Sequence, residues 1–519
     1  STCRLFHLLK MAMNVDWFRQ TIDRIAVSDS RRELLSELKV GLCGLSAREA
    51  TSVANVVPLG AIFDSLNTNE KEQLDLACDV LGKLLGALEP SIVLAQYGQQ
   101  IQHTLIHPSP RAKELVLREL DRAVSGRIEM VERLSAEQDL LVCIVDCLCL
   151  EELSVARYAV SLLKHLGSCP AGLTALYSPV TMQALQTASS KGDIIRFRVY
   201  EVVVAVSADS DDGLRASQTS GFLGGLFSEL RGDDVLAQLN VLEMTTALAL
   251  KQHSLVFLDQ QGILDFLAEK LTNAENDPLS SFLVPGLIKF FGNVAQSRPD
   301  EMIKRFPSLV SMMFETLEAG DPAVLGTGME TLGFIATTLK GKYMLQSLGE
   351  GTRLPETMRR MVEKLPSLPI EMKVRLLNSI ANILQLNVSD QNNQSLSMTK
   401  RWFEALSPQP MDFVMSLCRQ PFPETRLAGF QLMLVLATNP WGQEYIVRAP
   451  GVVEYLMDRS TESIKSCKDA KFEVVRSLVT SPSSSTVMSP EVLDQLREFM
   501  QQGEFYARGE TEVAIEGAS

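Results

Sequence analysis

The fold is decided by one stretch, Asp277-Pro-Leu-Ser-Ser-Phe-Leu-Val-Pro-Gly-Leu-Ile-Lys-Phe-Phe-Gly-Asn-Val-Ala295, in which a turn signal leads into a helix with apolar residues three and four positions apart. The pattern recurs at Asp193–Val206 and at Asp234–Leu248. Each copy exposes an apolar stripe that it cannot bury alone, so neighbouring copies must stack. The sequence therefore predicts a repeat protein, with Phe290 and Phe291 in its core.

The repeat period identifies the class of repeat. Units begin near residues 69, 108, 152, 193, 233, 277, 321, 369, 423 and 468. The mean interval of about 44 residues matches the period of HEAT and armadillo repeats and exceeds that of ankyrin and tetratricopeptide repeats. Short helices led by glycine, at Gly221 and Gly262, favour the armadillo form. The predicted fold is an all-α, armadillo/HEAT-like right-handed α-solenoid of about ten repeats.

Composition shifts along the chain predict its domain organisation. Residues 1–60 are helical in pattern but fit the repeat poorly, as expected of an N-terminal helical cap. The repeat array covers 61–480, and a polar tract near 386–400 predicts an insertion loop within it. A C-terminal helix follows at 481–502, and the tail 503–519, which lacks apolar periodicity, is predicted to be flexible.

Charge and composition exclude several partners. The 519 residues include 63 acidic and 49 basic side chains, and the net charge of -14 repels phosphate backbones, so nucleic acid is not an expected partner. No apolar run reaches the ~18 residues of a spanning helix, so we expect no membrane association.

The residues before Met11 and Met13 do not resemble a secretory signal, and we expect translation to start at one of these methionines. The nine cysteines, mostly at apolar helical positions, indicate a reducing compartment, the cytoplasm or the nucleus.

Motifs of catalysis are missing from the sequence. It contains no phosphate-binding loop, nucleophile elbow, zinc-protease motif or dinucleotide fingerprint, so we predict that the protein is not an enzyme and uses no metal or cofactor. His103 and His107 are four residues apart, but the sequence favours a turn and cap over a metal site. Cys143, Cys147 and Cys149 lie in an apolar helix and are interpreted as core residues.

Polar residues on the third helix of each repeat form the candidate site. When these helices are aligned on their apolar positions, polar residues recur in two columns three residues apart, which share one helix face. Third helices line the concave surface of superhelical arrays, so the columns predict a polar ladder that binds protein, the alternative being a merely solvated face. The centre, between Arg198 and Arg375, is the expected binding site. The predicted ladder residues are Tyr158, Ser161, Arg198, Glu201, Asn240, Glu243, Lys289, Asn293, Thr327, Glu330, Arg375 and Asn378.

Several segments also resemble a known family, that of the proteasome 26S non-ATPase regulatory subunit 5. The resemblance extends over roughly residues 60 to 519 and is loose in the first 50. The segments that carry it are Gly192-Asp-Ile-Ile-Arg-Phe-Arg-Val-Tyr-Glu201, Asp277-Pro-Leu-Ser-Ser-Phe282, Lys289-Phe-Phe-Gly-Asn293, Gln420-Pro-Phe-Pro-Glu424, Asn439-Pro-Trp-Gly-Gln443, Pro450–Arg459 and Lys468-Asp-Ala-Lys-Phe-Glu473.

This resemblance implies a chaperone that assembles the base of the proteasome regulatory particle. Members of the family are armadillo/HEAT-like solenoids that bind the C-terminal domain of one AAA ATPase subunit, hold it in an assembly module and are absent from the mature proteasome. We expect this chain to be a monomer on its own. The alternative is an armadillo-type adaptor of the nuclear-import kind, but such adaptors repeat Trp and Asn along the groove, and only Trp17, Trp402 and Trp441 occur here. An enzyme whose site has no motif is a third class.

Overall fold

The structure, a computed structural model, describes residues 2–28, 30–274, 280–319 and 322–503. Within these ranges the chain consists of helices, turns and irregular segments, with no β-strand. No helix in the same ranges combines the length and the apolar character that crossing a bilayer requires. The all-α fold class is therefore confirmed.

The first of two compact units spans Ser1–Gln260. It contains the helices α1 (Thr2–Val27), α2 (Arg31–Cys43), α3 (Ala47–Ala54), α4 (Gly60–Asp64), α5 (Lys71–Ala87), α6 (Pro90–Ile106), α7 (Pro110–Val124), α8 (Ile128–Ser135), α9 (Gln138–Cys147), α10 (Leu153–His165), α11 (Pro170–Leu176), α12 (Pro179–Ser189), α13 (Asp193–Asp209), α14 (Asp211–Thr219), α15 (Phe222–Leu230), α16 (Val235–Ala249) and α17 (Gln252–Gln260).

The second unit spans Gln261–Ser519. It contains α18 (Ile263–Thr272), α19 (Val284–Ser297), α20 (Pro299–Arg305), α21 (Pro307–Ala319), α22 (Pro322–Ile335), α23 (Leu339–Ser347), α24 (Arg353–Lys364), α25 (Ile370–Leu384), α26 (Asn393–Glu404), α27 (Pro410–Cys418), α28 (Pro423–Thr438), α29 (Pro440–Arg448), α30 (Val452–Met457), α31 (Lys465–Thr480), α32 (Ser484–Val487) and α33 (Pro490–Gln502).

Short 3-10 helices join some of these elements in both units. They lie at Leu166–Ser168, Ser280–Leu283, Leu348–Gly351, Leu365–Ser367, Val388–Asp390 and Arg459–Thr461.

From α7 onward, helices follow one another in triplets, and every third helix is long. In unit 1 these third helices are α7, α10, α13 and α16, and in unit 2 they are α19, α22, α25, α28 and α31; within each unit each one packs on the next. The intervening shorter helices stack in the same order, as α8, α11, α14 and α17 do. Each unit is therefore an α-solenoid built from three-helix repeats, as the period predicts.

Glycine begins several of the second helices, as the sequence pattern suggests. Gly221 precedes α15 with φ 84°, and Gly262 precedes α18 with φ 67°. This left-handed backbone is unfavourable for residues with a Cβ, which explains why the position is a glycine. The third helices begin with a different type of capping residue. Asp234 accepts hydrogen bonds from the backbone N–H groups of Leu236 and Ala237, and so caps α16.

The core consists of aliphatic and aromatic side chains between successive repeats. Phe290 and Phe291 are both 0% exposed, as predicted, and their rings meet edge to face with centroids 5.2 Å apart. Of the three cysteines predicted to be core residues, Cys147 is buried, whereas Cys143 and Cys149 are half-buried. The other buried cysteines in the described residues are Cys78, Cys169, Cys418 and Cys467. Burial raises the pKa of the Cys147 thiol to about 12, so this residue is a small core side chain and not a thiolate.

Two segments differ from the sequence-based expectation. Helix α2 packs on α5 in the way that third helices pack on one another, so stacking begins before residue 60. Much of the predicted insertion loop near 386–400 is α26, because Asn392 caps this helix and Trp402 at 0% exposure anchors it. The predicted C-terminal helix is present as α33. The predicted flexible tail lies, apart from Gly503, outside the described residues.

Candidate functional site

In unit 1, six of the predicted ladder residues lie on the third helices α10, α13 and α16. Each helix contributes a pair of residues three positions apart, and such a pair shares one helix face. The exposed members are Glu201, Asn240 and Glu243, and the half-buried ones are Tyr158, Ser161 and Arg198. The structure therefore places all three pairs at or near the surface of stacked helices.

Arg198 is held inside the repeat and is not free to meet a partner. Its Nη1 donates to the carbonyl oxygens of Leu148 and Leu150, at 2.5 Å and 2.7 Å. These carbonyls lie between α9 and α10, where no helical N–H group is available to them. The Arg198 guanidinium thus caps the end of α9 and ties α13 to the preceding repeat.

The other polar groups of α10 and α13 also bind one another. Lys164 Nζ on α10 lies 2.6 Å from Glu201 Oε1 on α13. Nearby, His165 Nε2 lies 3.6 Å from Asp121 Oδ1. Partial burial raises the pKa of the Asp121 carboxyl, but the neighbouring His165 and Ser161 outweigh burial, and the pKa is lower than its usual value. Glu243 on α16 differs, since it has no ion-pair partner among the described residues of the chain.

In unit 2, the remaining six ladder residues lie on α19, α22 and α25. Lys289, Glu330 and Asn378 are exposed, and Thr327 and Arg375 are half-buried. Asn293 is only 5% exposed. Its amide therefore lies within the helix packing, where it is not available to a partner.

Glu330 and Arg375 form the strongest polar contact of the ladder. Arg375 Nε donates to Glu330 Oε1 at 2.6 Å and Nη2 donates to Oε2 at 2.8 Å, which is a two-point ion pair between α22 and α25. These hydrogen bonds, together with the charges of Arg375 and Lys289, lower the pKa of the Glu330 carboxyl. Lys289 has no ion-pair partner of its own within the described ranges.

A glycine makes room for this ion pair. A Cβ at Gly326 on α22 would lie 2.8 Å from Arg375 Nη1 and 2.9 Å from its Cζ. A larger residue at 326 would require the flexible end of the Arg375 side chain to shift. Gly326 lies one helical turn before Glu330, so the small residue leaves room for the guanidinium beside the carboxylate.

His103 lies in the last turn of α6, and His107 lies between α6 and α7. The backbone N–H of Ser109 donates to His107 Nδ1 at 3.1 Å, which confirms the turn-and-cap interpretation of this residue. No group of three or more His, Cys, Asp or Glu side chains in the described part of the chain could hold a metal ion. Chemically, the ladder can offer hydrogen-bonding and charged groups to another protein.

A comparison with known protein families identifies the family to which this chain belongs. The family described as "Proteasome non-ATPase 26S subunit" matches residues 14–519. The chain belongs to this family. Its similarity to individual members is nearly full-length: it is 34% identical to the human "26S proteasome non-ATPase regulatory subunit 5" over 95% of this chain and 98% of the human protein.

More distant members of the proteasome non-ATPase 26S subunit family match over the same length. The Drosophila melanogaster "26S proteasome non-ATPase regulatory subunit 5" is 23% identical over 98% of this chain and 99% of that protein. Among solved structures, yeast importin-beta (Kap95p) aligns with 89% of this chain and 61% of its own at a TM-score of 0.50 and 14% identity. That likeness confirms the helical solenoid fold.

This family member also has a cavity that the sequence did not predict. It has a volume of about 880 Å³, lies in unit 2 and is lined by residues of α27, α28 and α30 and of the segment before α31. In its wall Arg426 Nε lies 3.1 Å from Glu462 Oε1, and Glu462 is 2% exposed. Arg426 and Glu462 are 36 residues apart, so no local spacing in the sequence indicates their pairing.

Proposed function

We propose that this protein is an assembly chaperone for the base of the 26S proteasome regulatory particle. In this role it binds the C-terminal domain of one ATPase subunit, holds it within an assembly module and is absent from the mature proteasome. The observation that carries the proposal is the full-length match to the proteasome non-ATPase 26S subunit family, whose relatives are named regulatory subunit 5. The proposal includes a cytoplasmic or nuclear location and a monomeric free state.

The ladder of the third helices supports binding of a folded domain. Its charges have both signs, with Glu243 in unit 1 and Lys289 in unit 2 exposed and without ion-pair partners in the described chain. Charges that are not satisfied internally contribute to specificity when a partner presents the opposite charge. Arg198, Glu201, Glu330 and Arg375 are less suited to this role, because they already bind groups of the neighbouring helix.

The proposed activity is binding without catalysis. The sequence contains no nucleotide-binding or nucleophile motif, so the energy for assembly must come from association itself or from the ATPase partner. We therefore propose that the protein is not an enzyme and that binding the ATPase domain needs no nucleotide hydrolysis by this chain. An import-adaptor function has no observation of its own, since the likeness to importin-beta extends to the fold alone.

The proposal is tested by titrating the full chain, in a calorimeter, with the separately purified C-terminal domains of the base ATPase subunits. One domain is expected to bind with a 1:1 stoichiometry. Glu243→Lys and Lys289→Glu should each weaken that binding by ~1 to 3 kcal/mol if the charge faces a partly desolvated partner group. Glu132→Lys, an exposed residue on α8, is the matched control and should change the affinity by less than ~0.5 kcal/mol.

Two results would refute the proposal. One is a folded chain that binds none of the ATPase C-terminal domains. The other is a mature 26S particle that retains the protein in stoichiometric amounts. Unchanged affinity of the Glu243→Lys and Lys289→Glu variants, with binding otherwise intact, would remove the site from the ladder and leave the chaperone role standing.

A further inference from the structure

The described part of unit 2 ends beside the cavity of about 880 Å³. Arg459 Nη2 donates to the carbonyl oxygens of Phe499 and Gly503, at 3.1 Å and 2.9 Å, and so holds the last described residue in place. Asp458, the residue before Arg459, lines the cavity. Sixteen residues, 504–519, follow Gly503 in the sequence. This segment therefore starts at the edge of the cavity.

A second, small cavity adjoins the larger one at the end of α33. It has a volume of about 20 Å³, is lined by Phe499 of α33, and shares Asp458 and Glu462 with the larger cavity. Gly503 is separated from Asp458 only by the Arg459 side chain and one peptide bond. Five extended residues span up to ~18 Å, so residues 504–508 are long enough to enter the larger cavity.

The larger cavity has an aromatic wall and an apolar rim. Tyr455 lines it, and its hydroxyl donates to the carbonyl oxygen of Cys418 at 2.9 Å, which fixes the ring. Phe422 and Ile464, each next in sequence to a lining residue, are 49% and 37% exposed. The volume lies within the ~300 to 1,000 Å³ of protein ligand sites. Aromatic side chains that enter the cavity would gain burial and ring contacts.

The charges of the cavity wall do not balance. Five charged side chains line the cavity, three acidic and two basic: Glu454, Asp458, Glu462, Arg419 and Arg426. Arg426 Nε lies 3.1 Å from Glu462 Oε1, so this pair is neutral as a whole. The Arg419 guanidinium lies over the Tyr455 ring, 5.2 Å from its centroid. The acidic excess therefore rests on Glu454 and Asp458.

Glu454 and Asp458 lie together on one side of the cavity. The backbone N–H of Asp458 donates to the carbonyl oxygen of Glu454 at 2.9 Å, so the two residues are one helical turn apart. Neither carboxylate has an ion-pair partner within the described ranges. Lys471 Nζ donates to the backbone carbonyl of Asp458, at 2.6 Å, and Ser460 binds Asp458 Oδ1. A cation at the Glu454 carboxylate and at Asp458 Oδ2 would therefore be attracted.

The residues that follow Gly503 match this chemistry in their order. Within 504–519 the only aromatic residues are Phe505 and Tyr506, and the only basic residue is Arg508. The aromatic pair comes first and the cation follows two residues later. The acidic residues after Arg508 would be repelled by the carboxylates of the cavity, so the match ends there; they are Glu510, Glu512 and Glu516.

We propose that residues 504–508 dock into this cavity of their own chain, with Phe505 and Tyr506 against the Tyr455 ring and Arg508 beside Glu454 and Asp458. The cavity is then occupied by the chain itself, and an external ligand has to displace the segment. Its affinity is lowered by the fraction of chains in which the segment has left the cavity. The inference goes beyond the function proposed above and does not rest on it.

Limited trypsin digestion of the full chain tests this contact. Arg508 is the only basic residue after Gly503, so cleavage after Arg508 releases residues 509–519, which mass spectrometry quantifies. The cleavage rate follows the fraction of chains in which the segment has left the cavity, and it should be at least ~tenfold lower than in a free peptide of residues 503–513. Equal rates in the chain and the peptide overturn the inference.

Variants of the segment test the role of the rings. F505S/Y506S should be cleaved at least ~tenfold faster than the wild type, each rate being divided by that of a free peptide of the same sequence, because the segment then has no aromatic side chain to bury. V513S/I515S is the matched control, since it changes apolar residues of the same segment beyond Arg508. It should be cleaved at the wild-type rate.

Variants of the cavity test the place of Arg508. E454Q/D458N should be cleaved at least ~threefold faster than the wild type, because the cation loses its two carboxylate partners. E371Q/D412N is the matched control, since these exposed acidic residues belong to α25 and α27 and do not line the cavity. It should be cleaved at the wild-type rate.

Circular dichroism of each variant establishes that unit 2 remains folded. A wild-type cleavage rate for folded F505S/Y506S or folded E454Q/D458N overturns the inference. Slow cleavage that becomes faster on dilution would place the segment in the cavity of a second copy, and it also overturns docking within one chain. These rates are measured without any ATPase domain, so failure of the docking leaves the chaperone role standing, and failure of the chaperone role leaves the docking standing.

Discussion

Truncation of Phe291 to alanine should destabilise unit 2. The Phe291 side chain is 0% exposed, and its ring meets that of Phe290 at 5.2 Å and that of Phe306 at 5.5 Å between centroids. Phe290 and Phe291 are on α19, and Phe306 lies between α20 and α21, so the ring joins elements of one repeat. Its removal leaves a cavity that the packed helices can close only in part.

The expected loss follows from burial and ring contacts. A fully buried Phe→Ala change costs ~3 to 5 kcal/mol, and aromatic pairs contribute ~0.5 to 1.5 kcal/mol each, so Phe291→Ala belongs at the upper end of that range. The free energy of unfolding of a domain is only ~5 to 15 kcal/mol, so the Phe291→Ala change removes a large share of that stability. With a urea dependence of ~3 kcal/mol per molar, the midpoint should fall by about 1 M or more.

Urea unfolding followed by two probes provides the assay. Trp402 and Trp441 are 0% and 6% exposed and both belong to unit 2, whereas Trp17 of unit 1 is 40% exposed. Tryptophan fluorescence therefore follows unit 2, and circular dichroism follows both units. Phe291→Ala should lower the fluorescence midpoint and split the circular dichroism transition, because contacts in an array are between neighbours. Phe282→Ala, at a side chain 65% exposed, is the control; equal midpoints for the two variants would refute the reasoning.

Two further predictions concern basic side chains that bind backbone carbonyls, Lys342 and Arg198. Lys342 is 2% exposed, and burial lowers its pKa to about 7 from the usual value near 10.5. Between these pH values the unfolded chain therefore binds one more proton than the folded chain. The contribution of Lys342 to the free energy of unfolding thus rises as the pH rises through this range. Measured by urea unfolding, the free energy of unfolding of the wild type relative to that of Lys342→Met should therefore be higher at pH 9.5 than at pH 6.5. An equal difference at the two pH values would contradict this. Arg198→Met should lower the free energy of unfolding by ~1 to 3 kcal/mol through loss of two bonds to carbonyls, yet leave ATPase-domain affinity unchanged once the fraction folded is taken into account. Glu243→Lys is expected to show the opposite pattern.

The fold was predictable because its signal is local and repeated. The apolar spacing within α13, α16 and α19 is visible over a few turns, and recurrence at about 44 residues identifies the class of repeat without any knowledge of contacts. The same reasoning failed at α26, because a polar composition there predicts a loop. The helix forms because Asn392 caps its start and Trp402 is buried by packing that the local pattern does not show.

The candidate site was predictable only in outline. Helical spacing correctly places Glu201, Asn240 and Glu243 on exposed faces, but it gives no information about what each side chain contacts. The carbonyl partners of Arg198 lie 48 and 50 residues before it, and Glu330 pairs with a residue 45 positions later. Partners one repeat away depend on the register between helices, which a single repeat does not specify.

Basic side chains that cap helix ends recur in both units. Arg122 donates to the carbonyl of Leu85, Lys342 to that of Asn382, and Arg459 to that of Phe499, in each case across 37 to 40 residues. Carbonyls at a helix end have no helical partner, so a cation from a neighbouring repeat satisfies them and joins the two repeats. Such residues look like surface charges in the sequence, although their role is to hold the stack together.

A column of charges on stacked helices is therefore not by itself a binding surface. A charge whose partner lies one repeat away stabilises the array, and a docking protein would have to break that contact before using the charge. A charge without such a partner is free of this penalty. Within the described residues, this criterion leaves Glu243 and Lys289 as the charged ladder members without an ion-pair partner.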